Sequence, residues 1–251
     1  RWAPTCPASV ACDISVNNSL AIVNSRLVAQ YITIDTRIWE LAMVLKAWAR
    51  GRNINDRSMG TLSSFALTLM LIHYLQKKGL LPCLQSLARA TQEPSLDVAG
   101  IDCRYCTDPA AIAQEIARLR DSGIGCMEHG RHNTSSNDVG ALLLGFFRHF
   151  GFDYGGGTIS VNKLSADTTS CELRGRLACA KVPFFFVENP FEPGRDVATL
   201  EQSQIPRILT EIRRAHRLLS QGQILKHVFE PTVQADRVEN SAWADSHIFV
   251  H

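Results

Sequence analysis

The stretch LKAWARGRNINDRSMGTLSSF, residues 45–65, decides how this chain is read. Its first part continues an apolar stripe at helical spacing, Ile38, Leu41, Ala42, Leu45, Trp48 and Ala49. Its middle is rich in Asn, Asp and Gly and marks a turn. Its end puts Ser63, Ser64 and Phe65 at the head of a second, strongly apolar helix. Lys46 and Arg50 are four residues apart and share one helix face. Such a pair is either a solvated face or a clamp for an oligophosphate. The serines either cap the second helix or, with its free N–H groups, help to hold an anion. Phe65 is either core or a platform for a base.

Working outward, periodicity predicts helices over about 19–34, 36–52 and 62–78. The last of these stops at QKKG, with cations in the final turn and Gly79 just after. Residues 86–107 read as loop. Asp108 and Pro109 open a helix over 108–122. Residues 125–136 are polar and irregular, and 137–151 form an amphipathic helix. GGTISVN and KVPFFFVENPF read as two short strands. A long basic helix follows over 198–221, then a polar tail after about Glu230. At the other end, residues 9–16 alternate as a strand with Asp13 at its centre. The reading is an α+β chain, mainly helical, with a small piece of sheet.

The chain has 251 residues, 45% hydrophobic and 20% charged, which suits a globular protein. A net charge of +2 is too small to argue for nucleic acid by bulk electrostatics, so any such site must be local. The longest apolar run, FALTLMLIHYLQ, is too short to span a bilayer, and no membrane partner is expected. Eight cysteines in a chain of this size read as mostly reduced thiols of an intracellular protein. Cys103, Cys106, Cys126, His129 and His132 have spacing compatible with a structural Zn²⁺ site, or fall together by coincidence. A strand so near Arg1, with no initiator Met, suggests a fragment of a longer protein.

In order along the chain, CDISVNN with VNS, LKAWARGRNIND with GTLSSFALTLMLIHYLQ, NDVGALLLGFFRHFGFDY and VENPFEPGRDVA resemble one family. It is that of the terminal uridylyltransferases and non-canonical poly(A) polymerases, in the DNA polymerase β-like superfamily. The resemblance implies the helical central domain of such an enzyme plus the last strands of its palm sheet. On that basis residues 1–18 end the palm, 19–230 form the helical and poly(A)-polymerase-associated domain, and 231–251 form the tail.

The resemblance also implies roles. Asp13 falls on the third metal-binding carboxylate of the catalytic strand, the ligand of Mg²⁺ or Mn²⁺. Asn24 falls on the residue that contacts the ribose. Lys46, Arg50 and Ser64 fall on the triphosphate-binding set, with Ser63 beside them. Phe65 replaces the Tyr that stacks on the base, and stacking survives that change. The family's EDPFE is here ENPFE, so Asn189 stands for an Asp while Glu192 is kept. Arg195 stands where many uridylyltransferases have His, and PGRDV is close to the P-G-N-D-V of the adenylating branch. Asn189 and Arg195 can donate to uracil O4 or to adenine N1, so UTP and ATP both remain.

The expected activity is template-independent addition of UMP from UTP to an RNA 3′ end, with ATP as the alternative substrate. The family's Gly-Ser motif and first two carboxylates precede the third on the chain, which places them before Arg1. Arg207, Arg213, Arg214 and Arg217 are either RNA-facing or a solvated helix face. The rival is a degenerate homologue that binds RNA or serves as a subunit of a ribonucleoprotein assembly. Members of this family work in the cytoplasm and mitochondrion, among other compartments.

Overall fold

A computed structural model describes residues 16–122, 138–162 and 184–231. Helices α1 (Ser19–Ile34), α2 (Arg37–Gly51) and α3 (Ser64–Lys77) follow the expected pattern. Each boundary has a local cause. Asn18 accepts the Ala21 N–H at 3.1 Å to start α1. The Arg37 guanidinium grips Asp35 at 2.6–3.1 Å and fixes the α1–α2 corner. Ser63 accepts the Ala66 N–H at 3.0 Å to start α3, and Gly79, at φ +68°, takes the left-handed turn that ends it.

Beyond α3 the sequence expectation needs correction. Residues 86–107 are not simply loop. They contain most of α4 (Leu84–Ala90) and a two-stranded antiparallel hairpin, β1 (Asp97–Val98) with β2 (Ile101–Asp102). Seven residues are too few for helical periodicity to register. Burial of Leu84 and Ala88 holds α4 in place. Helix α5 (Pro109–Asp121) begins at Asp108, which caps Ala110 and Ala111.

Helix α6 (Val139–Arg148), capped by Asp138, continues into a π-helical turn, His149–Asp153. The short strands β3 (Gly157–Ile159) and β4 (Phe185–Val187) pair in parallel, with Gly157 opposite Phe185. The basic helix α7 (Ile205–Ser220) starts later than its composition suggests, because residues 196–201 are held by other bonds and Gln202–Gln204 form a 3-10 turn. A last short helix, α8 (Leu225–Phe229), was not legible in the sequence. Residues 9–15 of the expected strand and the tail from 232 lie outside the described residues, and Val16, the last residue of that expectation, is an exposed bend.

The core runs between α2, α3, α6 and α7. Trp48 meets Phe147 edge to face at 4.8 Å, and Phe146, Phe150, Tyr154 and Phe185 extend the aromatic stack to the sheet. Tyr31 and Gln76, both buried, bond each other at 3.0 Å and share the Pro82 carbonyl. His73 Nδ1 donates to the Ser160 carbonyl at 2.7 Å, which ties α3 to the end of β3. The fold is α+β and mainly helical, and among the described residues no helix is long and apolar enough to cross a membrane.

Candidate nucleotide-binding site

The phosphate end is built around the turn between α2 and α3. Lys46 is half-buried and Arg50 exposed, both in the second half of α2. Neither side chain has an ion pair or hydrogen bond to another described residue. The turn that follows is rigid. Ile54 N bonds Ala49 O at 2.9 Å, Leu62 N bonds Ile54 O at 3.1 Å, and the Asn55 amide donates to Leu62 O at 2.8 Å. Asp56 accepts from the N–H and hydroxyl of Ser58 at 2.9 and 2.6 Å, which holds its carboxyl below the usual carboxylate range. The Ser64 hydroxyl bonds the Asn55 side-chain oxygen at 3.1 Å. Asn55 was not singled out in the sequence, although an Asn beside Asp and Gly in a turn is the available signal. Phe65 is half-buried, one part of its ring on the core.

Asn24 lies on α1, which packs against α2. It is 7% exposed, and its amide oxygen has no hydrogen-bond partner among the described residues. A buried acceptor without a partner costs about 1–3 kcal/mol, and Asn24 Oδ1 shares that state with Trp48 Nε1, Arg89 Nη1 and Asn162 Oδ1.

The base-edge residues sit on the loop after β4. Glu192 to Arg195 is a type II turn: Pro193 takes the second position, Gly194 has φ +81°, and Arg195 N bonds Glu192 O at 3.1 Å. The turn brings its two ends together. Arg195 grips Glu192 at 2.7 and 2.9 Å, and the Asn189 amide donates to the same carboxylate at 2.9 Å. Asn189 is buried and its own oxygen accepts the Phe191 N–H at 3.0 Å. Beneath the loop, Gln85 and Asn162 both donate to the Pro190 carbonyl, at 3.5 and 3.4 Å.

Other candidates stand apart. Arg52, two residues from Arg50, is buried and bidentate on Glu211 at 2.7 and 2.9 Å, with a further bond to Glu230 O. Three arginines of α7 brace backbone rather than form a free basic face. Arg207 donates to Arg52 O, Arg213 to Gly151 O, and Arg214 to Val228 O and His227 O. Carbonyls at the ends of short helices lack intrahelical partners, and these guanidinium groups satisfy them. Arg217 is exposed.

The zinc expectation gains no support. Cys103 and Cys106 are fully buried free thiols, and in the absence of metal desolvation pushes both up to about 11. Cys126, His129 and His132 lie outside the described residues, as does Asp13. Among the described residues no group of three or more His, Cys, Asp or Glu could hold a metal ion.

This arrangement was compared with known proteins. The chain is 30% identical over 220 residues to the poly(A) RNA polymerase cid13 of Schizosaccharomyces pombe, a match covering 84% of this chain and 34% of that protein. It is 30% identical over 178 residues to the poly(A) RNA polymerase GLD2 of Homo sapiens, covering 68% of this chain and 33% of that one. Among solved structures, Cid1 in complex with its short product ApU superposes with a TM-score of 0.63 at 27% identity, covering 86% of this chain and 66% of that one. No family model matches the chain. The chain spans about a third of the length of the curated relatives it matches. On sequence and fold together, it belongs to the family of terminal uridylyltransferases and non-canonical poly(A) polymerases.

Proposed function

We propose that the full-length protein adds nucleotides to RNA 3′ ends without a template, from UTP or ATP, and that this chain holds the nucleotide. One observation carries the reading. Two cations without partners among the described residues lie on the second half of α2, and an ordered turn leads from them to the capped N-terminus of the 14-residue helix α3. Cations and a helix N-terminus together favour a polyanion.

In the reaction, the RNA 3′-oxygen forms a bond to the α-phosphorus, the bond from that phosphorus to the β-bridging oxygen breaks, and pyrophosphate leaves. The hydroxyl proton is released. Lys46, Arg50 and Ser64 hold the β- and γ-phosphates and offset the charge that builds on the leaving group. Asn24 Oδ1 accepts from a ribose hydroxyl. Phe65 supports the base, and Asn189, Glu192 and Arg195 face its edge. A divalent ion, Mg²⁺ or Mn²⁺ with Asp13 among its ligands, would activate the nucleophile and neutralise the leaving oxygen. The described residues serve the nucleotide rather than that ion.

Two observations bear on the base. The relatives cid13 and GLD2 carry the name poly(A) RNA polymerase, which supports ATP. Arg195 brings donors only, and uracil O4 and adenine N1 both accept, so it fits either base. Extension of an RNA primer by the full-length protein, with each of the four NTPs in turn, is the test. Extension with UTP or ATP, lost when Lys46 and Arg50 are replaced by Ala, is expected. No extension with any NTP would leave the rival, an RNA-binding or structural subunit of a ribonucleoprotein. The residues encoded before Arg1 give a second check, since the enzyme needs a Gly-Ser motif followed by D-x-D.

A further inference from the structure

The base-edge loop and the phosphate turn are far apart in sequence, yet the structure ties them together. After β4 the loop closes on itself. The Asp196 carboxylate accepts from Val187 N at 3.1 Å, Ala198 N at 2.9 Å and Thr199 N at 3.2 Å, and Asn189 N bonds Arg195 O at 2.8 Å. Its exit then lands on the turn between α2 and α3. Arg57 Nε donates to the Thr199 hydroxyl at 3.2 Å, and Glu201 N bonds Gly60 O at 3.0 Å. The approach at Gly60 is tight: a Cβ there would lie 2.6 Å from the Glu201 Cβ, at a φ of +68°.

Thr199 itself is anomalous. It is exposed, and its φ is +46°, the left-handed region, where a β-branched residue is strained. Its neighbours Ala198 and Leu200 are buried, but its own side chain buries little. Gly or Asn would take this backbone at lower cost. What Thr199 provides is a hydroxyl oxygen for Arg57, at the junction of the two loops. From that junction the bonds run on. Thr61 locks Asp56, with Asp56 N on Thr61 Oγ1 at 2.8 Å and Thr61 Oγ1 on Asp56 O at 2.7 Å. Asn55 then ties Leu62 to Ser64.

We infer that Thr199 is a positioning residue: with Arg57 and the Gly60–Glu201 link, it sets the register between the base-edge loop and the phosphate turn. This rests on the nucleotide-site reading above. A nucleotide bound at both ends spans a fixed length. A rigid tie between the ends therefore sharpens choice among bases of different size, and a loose one blurs it.

The test uses the full-length protein with an RNA primer, measuring KM and kcat for UTP and ATP beside thermal melting. Thr199→Gly is expected to keep Tm within about 2 °C of the parent, because relief of backbone strain offsets the lost bond. Its KM for the preferred nucleotide should rise about fivefold, the equivalent of one hydrogen bond, and the UTP-to-ATP preference should narrow. Arg57→Ala, at an exposed position that does not threaten folding, should do the same. Thr199→Asn, which tolerates the left-handed backbone and keeps an acceptor, should restore parental values. Leu119→Ala, a core change on α5, should lower Tm without moving the nucleotide preference. Parental KM and preference in both Thr199→Gly and Arg57→Ala would overturn the inference while leaving the nucleotide site standing. Parental KM in Arg50→Ala would instead overturn the nucleotide-site reading, and the inference with it.

Discussion

Arg50 and Arg52 are two residues apart on the chain and have opposite fates. Arg50 is exposed and has no partner among the described residues. Arg52 is 5% exposed, fixed on Glu211 by two bonds and on a backbone carbonyl by a third. The contrast extends to their surroundings. Around Arg52, His73 and Tyr31, the polar groups named above find partners within the protein. On the facing side, the Lys46 side chain has no partner among the described residues, and Asn24, on the neighbouring helix α1, buries an amide oxygen that none of them satisfies. The contrast lies in the charged side chains, since Trp48 Nε1 and Asn162 Oδ1 on the core side are also buried without a partner among the described residues: a cation neutralised within the fold serves stability, and one left open is available to a ligand. Residue type does not separate the two, since both regions offer an arginine.

The largest test of this contrast is on the closed side. Replacing Glu211 by Gln leaves Arg52 buried without its counter-charge, with Arg214 only 3.9 Å from the same carboxylate. Unfolding of Glu211→Gln in denaturant should show a loss of about 3–5 kcal/mol. A loss below about 1 kcal/mol would mean that solvent reaches the pair, and the contrast would fail.

On the open side the effect moves from stability to binding. Arg50→Ala and Lys46→Ala should each weaken triphosphate binding by about 10- to 100-fold, the equivalent of one charge-assisted bond, with Tm unchanged. Calorimetric titration with a non-hydrolysable NTP and a thermal melt together check this. A fall in Tm with parental affinity would assign Arg50 to the same class as Arg52.

His73 sharpens the closed side through pH. Burial lowers its pKa from 6.5 to about 4, against the smaller, opposing effect of the bond to Ser160 O. As pH falls through 6.5 the unfolded chain takes up a proton that the native ring still refuses. Stability should therefore decline between pH 6.5 and 4 by about 1–3 kcal/mol, and this contribution should level off below 4. Melts across that range, compared with His73→Gln, should show a shallower decline in the variant. Equal slopes would place the ring in contact with water.

The smallest effect is expected at the base-edge turn. The Glu192–Arg195 pair is solvated on the arginine side, 64% exposed, so Arg195→Ala should cost less than about 1 kcal/mol of stability. Its consequence should appear in the ratio of UTP to ATP incorporation. An unchanged ratio would remove Arg195 from base selection.

Much of the fold was legible because its signals are local. Asn18, Ser63 and Asp108 cap the helices that follow them, and Gly79 ends α3 through a backbone conformation that glycine reaches easily. The Glu192–Arg195 turn also has a local signal, Pro193 and Gly194, although it was not among the elements expected from the sequence. The helix α4, the hairpin β1–β2 and the helix α8 left no such mark. Each is too short for periodicity and is held by what it packs against. In the site, the i,i+4 cations, the serine cap and the aromatic were open to inspection from spacing alone.

By itself, then, the sequence determined the helices around the phosphate turn and the candidates for a polyanion. Caps, periodicity and turn chemistry act within a few residues, and that suffices for both. Only the tertiary structure decided which charges were spent on folding. Arg52 meets Glu211 from 159 positions away, Arg213 and Arg214 brace other segments, and Thr199 closes onto Arg57 across 142 positions. Whether a charge is neutralised depends on burial and on partners brought in from distant chain, and neither is encoded in the spacing of its neighbours.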